Sequence, residues 1–239
     1  NVHGLIATTF MIWRNTMSYT LILLVTMALT LGAQGYINSM YQKTKKISLE
    51  RTISGKDVAR KILDENGLKN VKVVEVEGTL SDHYDPRNKT VNLSTDIYQN
   101  TSVASASVAA HECGHAIQDK EGYTFLRFRN SIVPVVNLAS KAGYVIIMIS
   151  LFTSLFRLLW IGILMELVIL MFQVVTLPVE FNASNRALKQ LTKLNLVTKQ
   201  EHASCKKMLT AAALTYVAAV ASAIIEVLRL VMIANRNRS

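Results

Sequence analysis

Charged residues are scarce in this 239-residue chain, at 18% where an ordinary soluble domain carries about 25%. With 51% hydrophobic residues beside them, that scarcity excludes intrinsic disorder and a collagen-like fibre. Cysteine is rarer still. Cys113 and Cys205 are the whole complement, far apart and in no CxxC pair, which argues against a disulfide framework and against a thiolate metal site. Also missing are a Gly-rich phosphate loop and any interleaving of aromatic with basic side chains, so nucleic acid is not an expected partner.

In excess are apolar length and positive charge. Residues 19–37 form a nearly uncharged run of about the ~20 residues that a membrane-spanning helix requires. Residues 135–156, 158–177 and 209–234 follow the same pattern, with Lys141, Arg157, Glu166, Glu226 and Arg229 as their few charges. We expect four transmembrane helices: residues 18–37, a tight hairpin over 135–177 turning at Arg157, and residues 209–234. Residues 1–17 lack a small-residue cleavage site and are read as an N-terminal extension without assigned function.

The net charge of +10 then acquires a place. Residues 38–134 hold 14 Lys and Arg against 12 Asp and Glu, and residues 178–208 hold 6 against 2. Together they carry 20 of the 26 basic residues, and two spans separate them, so they share one side of the bilayer. Basic loops stay in the cytoplasm, which puts both segments there. The tail, residues 235–239 with Arg236 and Arg238, then falls on the far side.

Residues 38–134 read as a small α+β domain. Ser54 with Asp57 is a capping pair, and helical spacing runs from Val58 to Gly67. Residues 71–77 alternate as a strand. Residues 78–84 and 90–93 flank the turn-rich Asp85-Pro86-Arg87-Asn88, which suggests a hairpin, and the Ala-rich residues 102–119 are expected as a helix.

That helix carries His111-Glu112-Cys113-Gly114-His115, an HExxH pattern. Four residues on a helix turn about 400°, so the two imidazoles point the same way from successive turns. At that spacing they can hold one Zn²⁺ per chain, which polarises a carbonyl and makes a water acidic. Glu112, beside them, can take that water's proton and hand it to the leaving amine. Cys113 projects to another face and is read as a packing residue. Two histidines leave a tetrahedral zinc short of one protein ligand. Glu180, just past the third span, is the candidate; Pro178 before it suits a helix start that would align Glu180 with Ser184. Its position alone fits equally well a carboxylate complementing a helix dipole.

Residues 78–87 (GTLSDHYDPR), 110–118 (AHECGHAIQ), 125–129 (FLRFR), 178–184 (PVEFNAS) and 211–219 (AAALTYVAA) closely resemble the YugP family of bacterial membrane zinc metallopeptidases. The resemblance runs from about residue 19 to residue 229. It implies a multi-pass α-helical membrane protein with a zincin-like cytoplasmic domain, a bacterial inner-membrane location and HExxH as the zinc motif. The stretch around Glu180 also looks like the Glu-x-x-Ala-Asp element of HtpX and CAAX-prenyl endopeptidases, which implies Glu180 as third ligand. This chain departs from that element in having Ser184 where those families have Asp. A neutral hydroxyl can orient a ligating imidazole but cannot raise its basicity as a carboxylate would.

For the oxyanion, His83, Tyr84 and Arg186 are candidates by chemistry. By analogy with zincins, the strand over residues 90–93 is expected to be the edge that pairs with extended substrate. Within the spans, Glu226 and Arg229 are three apart and can pair, whereas Glu166 has no local partner. The expected function is a zinc endopeptidase acting on membrane or membrane-proximal polypeptides, alone or with a membrane partner. The alternative is an inactive, zinc-stabilised membrane scaffold or regulator.

Overall fold

The computed structural model describes residues 2–236, with side chains from Thr20 onward. The whole of the expected N-terminal extension, residues 1–17, and Arg238 of the tail lie outside the side chains so described. Four long helices, α1 (Val2–Lys45), α5 (Thr124–Thr153), α6 (Phe156–Lys193) and α7 (Lys199–Arg236), frame a small α+β insert. The insert runs α2 (Gly55–Glu65), β1 (Lys72–Val76), β2 (His83–Asp85), β3 (Thr90–Ser94), α3 (Thr95–Gln99) and α4 (Val103–Glu121).

Each of the four long helices contains a stretch long and apolar enough to cross a membrane. They turn large apolar side chains outward: Leu21, Leu138, Leu164 and Phe152 are more than half exposed. Contiguous apolar surface of that extent is unfavourable in water and favourable in lipid. Helices α6 and α7 are 38 residues each. At a 1.5 Å rise each reaches roughly 57 Å, well beyond a hydrocarbon core of about 30 Å.

The chain divides into two compact units. One comprises residues 1–33, 133–173 and 217–239. Here α5, α6 and α7 meet around Ile147, Leu159, Ile163 and Leu230. A Cβ on Gly162 would come within 2.4 Å of Ile147, so its absence lets α5 and α6 approach. Arg229 forks onto Glu226 at 2.8 and 2.5 Å, the pair expected from their spacing. Glu166 lies in the electrostatic reach of that same pair.

The second unit comprises residues 34–132 and 174–216. Its core joins Val58, Ile62 and Leu63 of α2 to Ala106, Ala110 and Cys113 of α4, with Leu93, Leu191 and Met208. Ser54 caps α2, accepting the Asp57 N–H at 3.2 Å, as the capping pair predicts. Both cysteines are free and buried, and Cys113 packs against α2 rather than facing the histidines.

Two expectations need correction. The sheet order is β1-β3-β2, with β3 parallel to β1 and antiparallel to β2, so β3 is central and neither of its edges is open. The free edge on the hairpin side belongs to β2. That strand is only three residues long, because Gly78 (φ 107°) and Leu80 (φ 57°) turn the chain before it. Second, Pro178 begins no helix; it sits inside α6. Proline costs one backbone hydrogen bond there, and the surrounding apolar packing carries the helix through.

Candidate metal centre

Helix α4 starts at Ser102, whose hydroxyl accepts the Ser105 N–H at 3.1 Å, and stops at Gly122 in the left-handed conformation. Its alanines are small enough for close approach on several sides. The decisive small residue is Gly114, between the two histidines. A Cβ there would lie 2.5 Å from the Ala183 carbonyl oxygen. Only glycine lets α6 pass that close, and the passage brings Glu180 and Ser184 against His111.

The result is a compact donor set. The Nε2 atoms of His111 and His115 lie 3.2 and 3.7 Å from Oε2 of Glu180. One ligand atom from each of the three residues falls within 4.8 Å of the others. Zinc bonds of about 2.1 Å in a tetrahedron space their ligands roughly 3.4 Å apart, so these separations fit a single ion. His111, His115 and Glu180 could hold a metal ion, and the donor chemistry suits zinc.

Both imidazoles are held from behind. Nδ1 of His111 is 3.2 Å from the Ser184 hydroxyl. Nδ1 of His115 is 3.0 Å from Oε1 of Gln118, a fully buried side chain. The Gln118 amide nitrogen donates to the Val179 carbonyl at 2.8 Å and to Asn182 Oδ1 at 3.0 Å. A carbonyl only accepts, so the NH₂ must point there and the oxygen must face His115. An amide oxygen likewise only accepts, which places the His115 proton on Nδ1 and leaves the Nε2 lone pair free. Arg129 takes the other oxygen of Glu180, Nη1 to Oε1 at 3.2 Å.

Glu112 is buried beside these groups, in a cavity of about 210 Å³ that also includes Asp82, Tyr84, Arg129 and Tyr216. Burial pushes its carboxyl up to about 7; His111 and the Tyr84 N–H, which donates to it, pull the other way, and the Glu180 and Asp82 carboxylates add to the rise. The donation from Tyr84 puts the β2 edge against the HExxH helix. Asp82 anchors that edge, accepting the Ser94 N–H at 2.7 Å and the Ser94 hydroxyl at 3.1 Å. Its own carboxyl is raised by burial.

The three residues chosen on chemistry as oxyanion donors are otherwise engaged. His83 lines the cavity, but its Nδ1 faces the Ser81 carbonyl at 2.8 Å and its Nε2 the Asn92 amide at 3.2 Å. The Tyr84 hydroxyl donates to Asp119 at 2.7 Å. Arg186 pairs with Glu121 at 2.7 Å and with Asn182 at 2.6 Å, outside this cavity. Gln118, Arg129 and Tyr216 were given no role from sequence. Gln118, three residues after His115, was within reach of the helical i, i+3 rule. Arg129 and Tyr216 come from other helices, and no local spacing marks them.

A family model described as "Putative neutral zinc metallopeptidase" matches residues 19–235. Among curated sequences, the chain is 40% identical over 217 residues to "Putative membrane protease YugP" of Bacillus subtilis, covering 91% of this chain and 96% of that protein. No solved structure matches the chain.

Proposed function

This chain belongs to the neutral zinc metallopeptidase family, and we propose that it is a membrane-embedded zinc endopeptidase cleaving membrane or membrane-proximal polypeptides. The observation that carries the reading is the single convergence of His111, His115 and Glu180 beside a buried Glu112 in one open cavity.

His111, His115 and Glu180 would hold one zinc ion per chain. When bound, zinc supplies Lewis acidity, polarising the scissile carbonyl and lowering the pKa of a water toward ~7. The carboxylate of Glu112 takes a proton from the attacking water and delivers it to the leaving amine nitrogen. Glu112 stands directly beside His111 in the sequence and lines the same cavity as the three candidate ligands, within reach of both transfers. Gln118 and Ser184 orient the two imidazoles, and Arg129 restrains Glu180. The free edge of β2 offers backbone groups to an extended peptide. Tyr216 and Arg129 line the same cavity and are further candidate donors for a developing oxyanion.

The distribution of basic residues supports a bacterial inner-membrane protein with this site at the cytoplasmic face. An inactive scaffold with a structural metal would have no use for a carboxylate buried beside the ligands, at the desolvation cost that Glu112 bears. The test is Glu112→Gln in the full chain. It should retain one zinc per chain and lose peptide cleavage; undiminished turnover would remove Glu112 as the base.

A further inference from the structure

A second cavity of about 160 Å³ also borders His111, Glu112 and Glu180 but includes neither His83 nor Asn130. It shares Asp82 and Tyr216 with the first as well, so both cavities border the same candidate metal centre. Apart from Ser184, whose hydroxyl faces His111, its remaining wall is apolar: Ile37, Val108, Met208, Leu209 and Ala213, with Leu80 beside them. A void of ~150 Å³ lined in this way accommodates a benzene ring. The cavity is therefore the size of one aliphatic or aromatic side chain.

Leu80 is the second observation. It is 44% exposed and holds φ at 57°, a left-handed conformation that strains a bulky residue. An exposed leucine held in that conformation gains nothing for the core, and its place on the cavity wall gives the strain a use. The chemistry of the wall also has a source. Ile37 ends the first apolar run of the chain and Leu209 begins the last, so the cavity is built from the ends of membrane helices.

We infer that this cavity is a specificity pocket that receives an apolar side chain of the substrate, from one of the two residues flanking the scissile bond. The inference rests on the peptidase reading and sharpens it. A polypeptide leaving a bilayer presents Leu, Ile, Val or Phe next to the bond to be cut. Asp or Lys in the same place would be desolvated against Met208 and Leu209 without a partner.

The test uses zinc-loaded full chain in detergent and quenched fluorescent peptides that differ only at the two flanking positions. At one position, Leu should exceed Asp and Lys in kcat/KM by roughly tenfold or more. Ala213→Phe, which fills the cavity, should bring that ratio toward one. Leu80→Asp should do so too and favour Lys, and it is safe for folding because Asp tolerates the left-handed conformation better than Leu. Zinc content and thermal unfolding of each variant verify that it is folded. Cleavage without preference at either position, or a preference surviving both variants, overturns the pocket and leaves the peptidase reading intact. If no peptide is cleaved, the peptidase reading fails and the pocket is judged by binding alone. Short peptide hydroxamates with Leu or Asp side chains are then titrated into the zinc-loaded protein. Tighter binding of the Leu form by about tenfold, lost in Leu80→Asp, supports the pocket, and equal binding overturns it. Equal inhibition of Leu and Asp peptides by added phospholipid would give the cavity to an acyl chain instead and likewise overturn it.

Discussion

Gln118 receives the Nδ1 proton of His115 at 3.0 Å while its amide nitrogen is spent on the Val179 carbonyl and Asn182. One buried side chain thus sets the tautomer of a candidate ligand on α4 and ties it to the helix that carries Glu180. Gln118→Leu should weaken zinc binding roughly 10- to 100-fold, read by competition with a chelator. It should also cost about 1–3 kcal/mol of stability, because the buried Val179 carbonyl loses its donor. An unchanged zinc affinity would reduce Gln118 to a packing residue.

Glu180 is the donor on which the three-residue site depends. Glu180→Ala should lower zinc affinity more than any substitution behind the imidazoles, by well over the ~100-fold upper range for those. Isothermal titration of the metal-free protein measures it. Full retention of affinity would return Glu180 to the other role open to it, a carboxylate held by Arg129.

Ser184 stands where related elements have Asp, and its hydroxyl lies 3.2 Å from His111 Nδ1. Ser184→Asp should tighten zinc binding several-fold, since a carboxylate makes the imidazole more basic. Ser184→Ala should weaken it, by about tenfold at most. The opposite order would mean that His111 is oriented by packing alone.

Gly114→Ala adds a Cβ only 2.5 Å from the Ala183 carbonyl oxygen. Backbone cannot yield as a side-chain tip can, so α4 and α6 must separate. We expect a loss of roughly 1–3 kcal/mol in thermal unfolding, with a parallel loss of zinc affinity as Glu180 recedes from the histidines. A stable variant with intact zinc binding would show that the helices have slack at this contact.

The proposed cytoplasmic site predicts a labelling pattern. Lys69 is exposed, and both native cysteines are buried, so Lys69→Cys supplies one reactive thiol. In intact cells it should resist an impermeant maleimide and react after permeabilisation. Labelling from outside would invert the topology.

Much of this was legible in the chain itself. Apolar runs near ~20 residues are a property of composition and length, so four spans could be counted without a structure. HExxH works through the fixed rotation of a helix, so His111 and His115 could be placed on one face, with Glu112 about 100° round from His111, by arithmetic. The cap at Ser54 is equally local. The strand order was not: residues 90–93 were expected at the edge only by analogy with zincins, and the parallel pairing with β1 makes β3 central. Pro178 likewise reads locally as a helix start, yet α6 runs through it.

The amino-acid sequence by itself determined the spans, the zinc helix and the direction of its two imidazoles, because each depends on neighbours within a few residues. Only the tertiary structure decided how the donors meet. The passage of α6 across Gly114, the orientation of Gln118, the hold of Arg129 on Glu180 and the apolar cavity beside Leu80 all join residues tens of positions apart. Close packing, not periodicity, sets those contacts, and no local spacing encodes them.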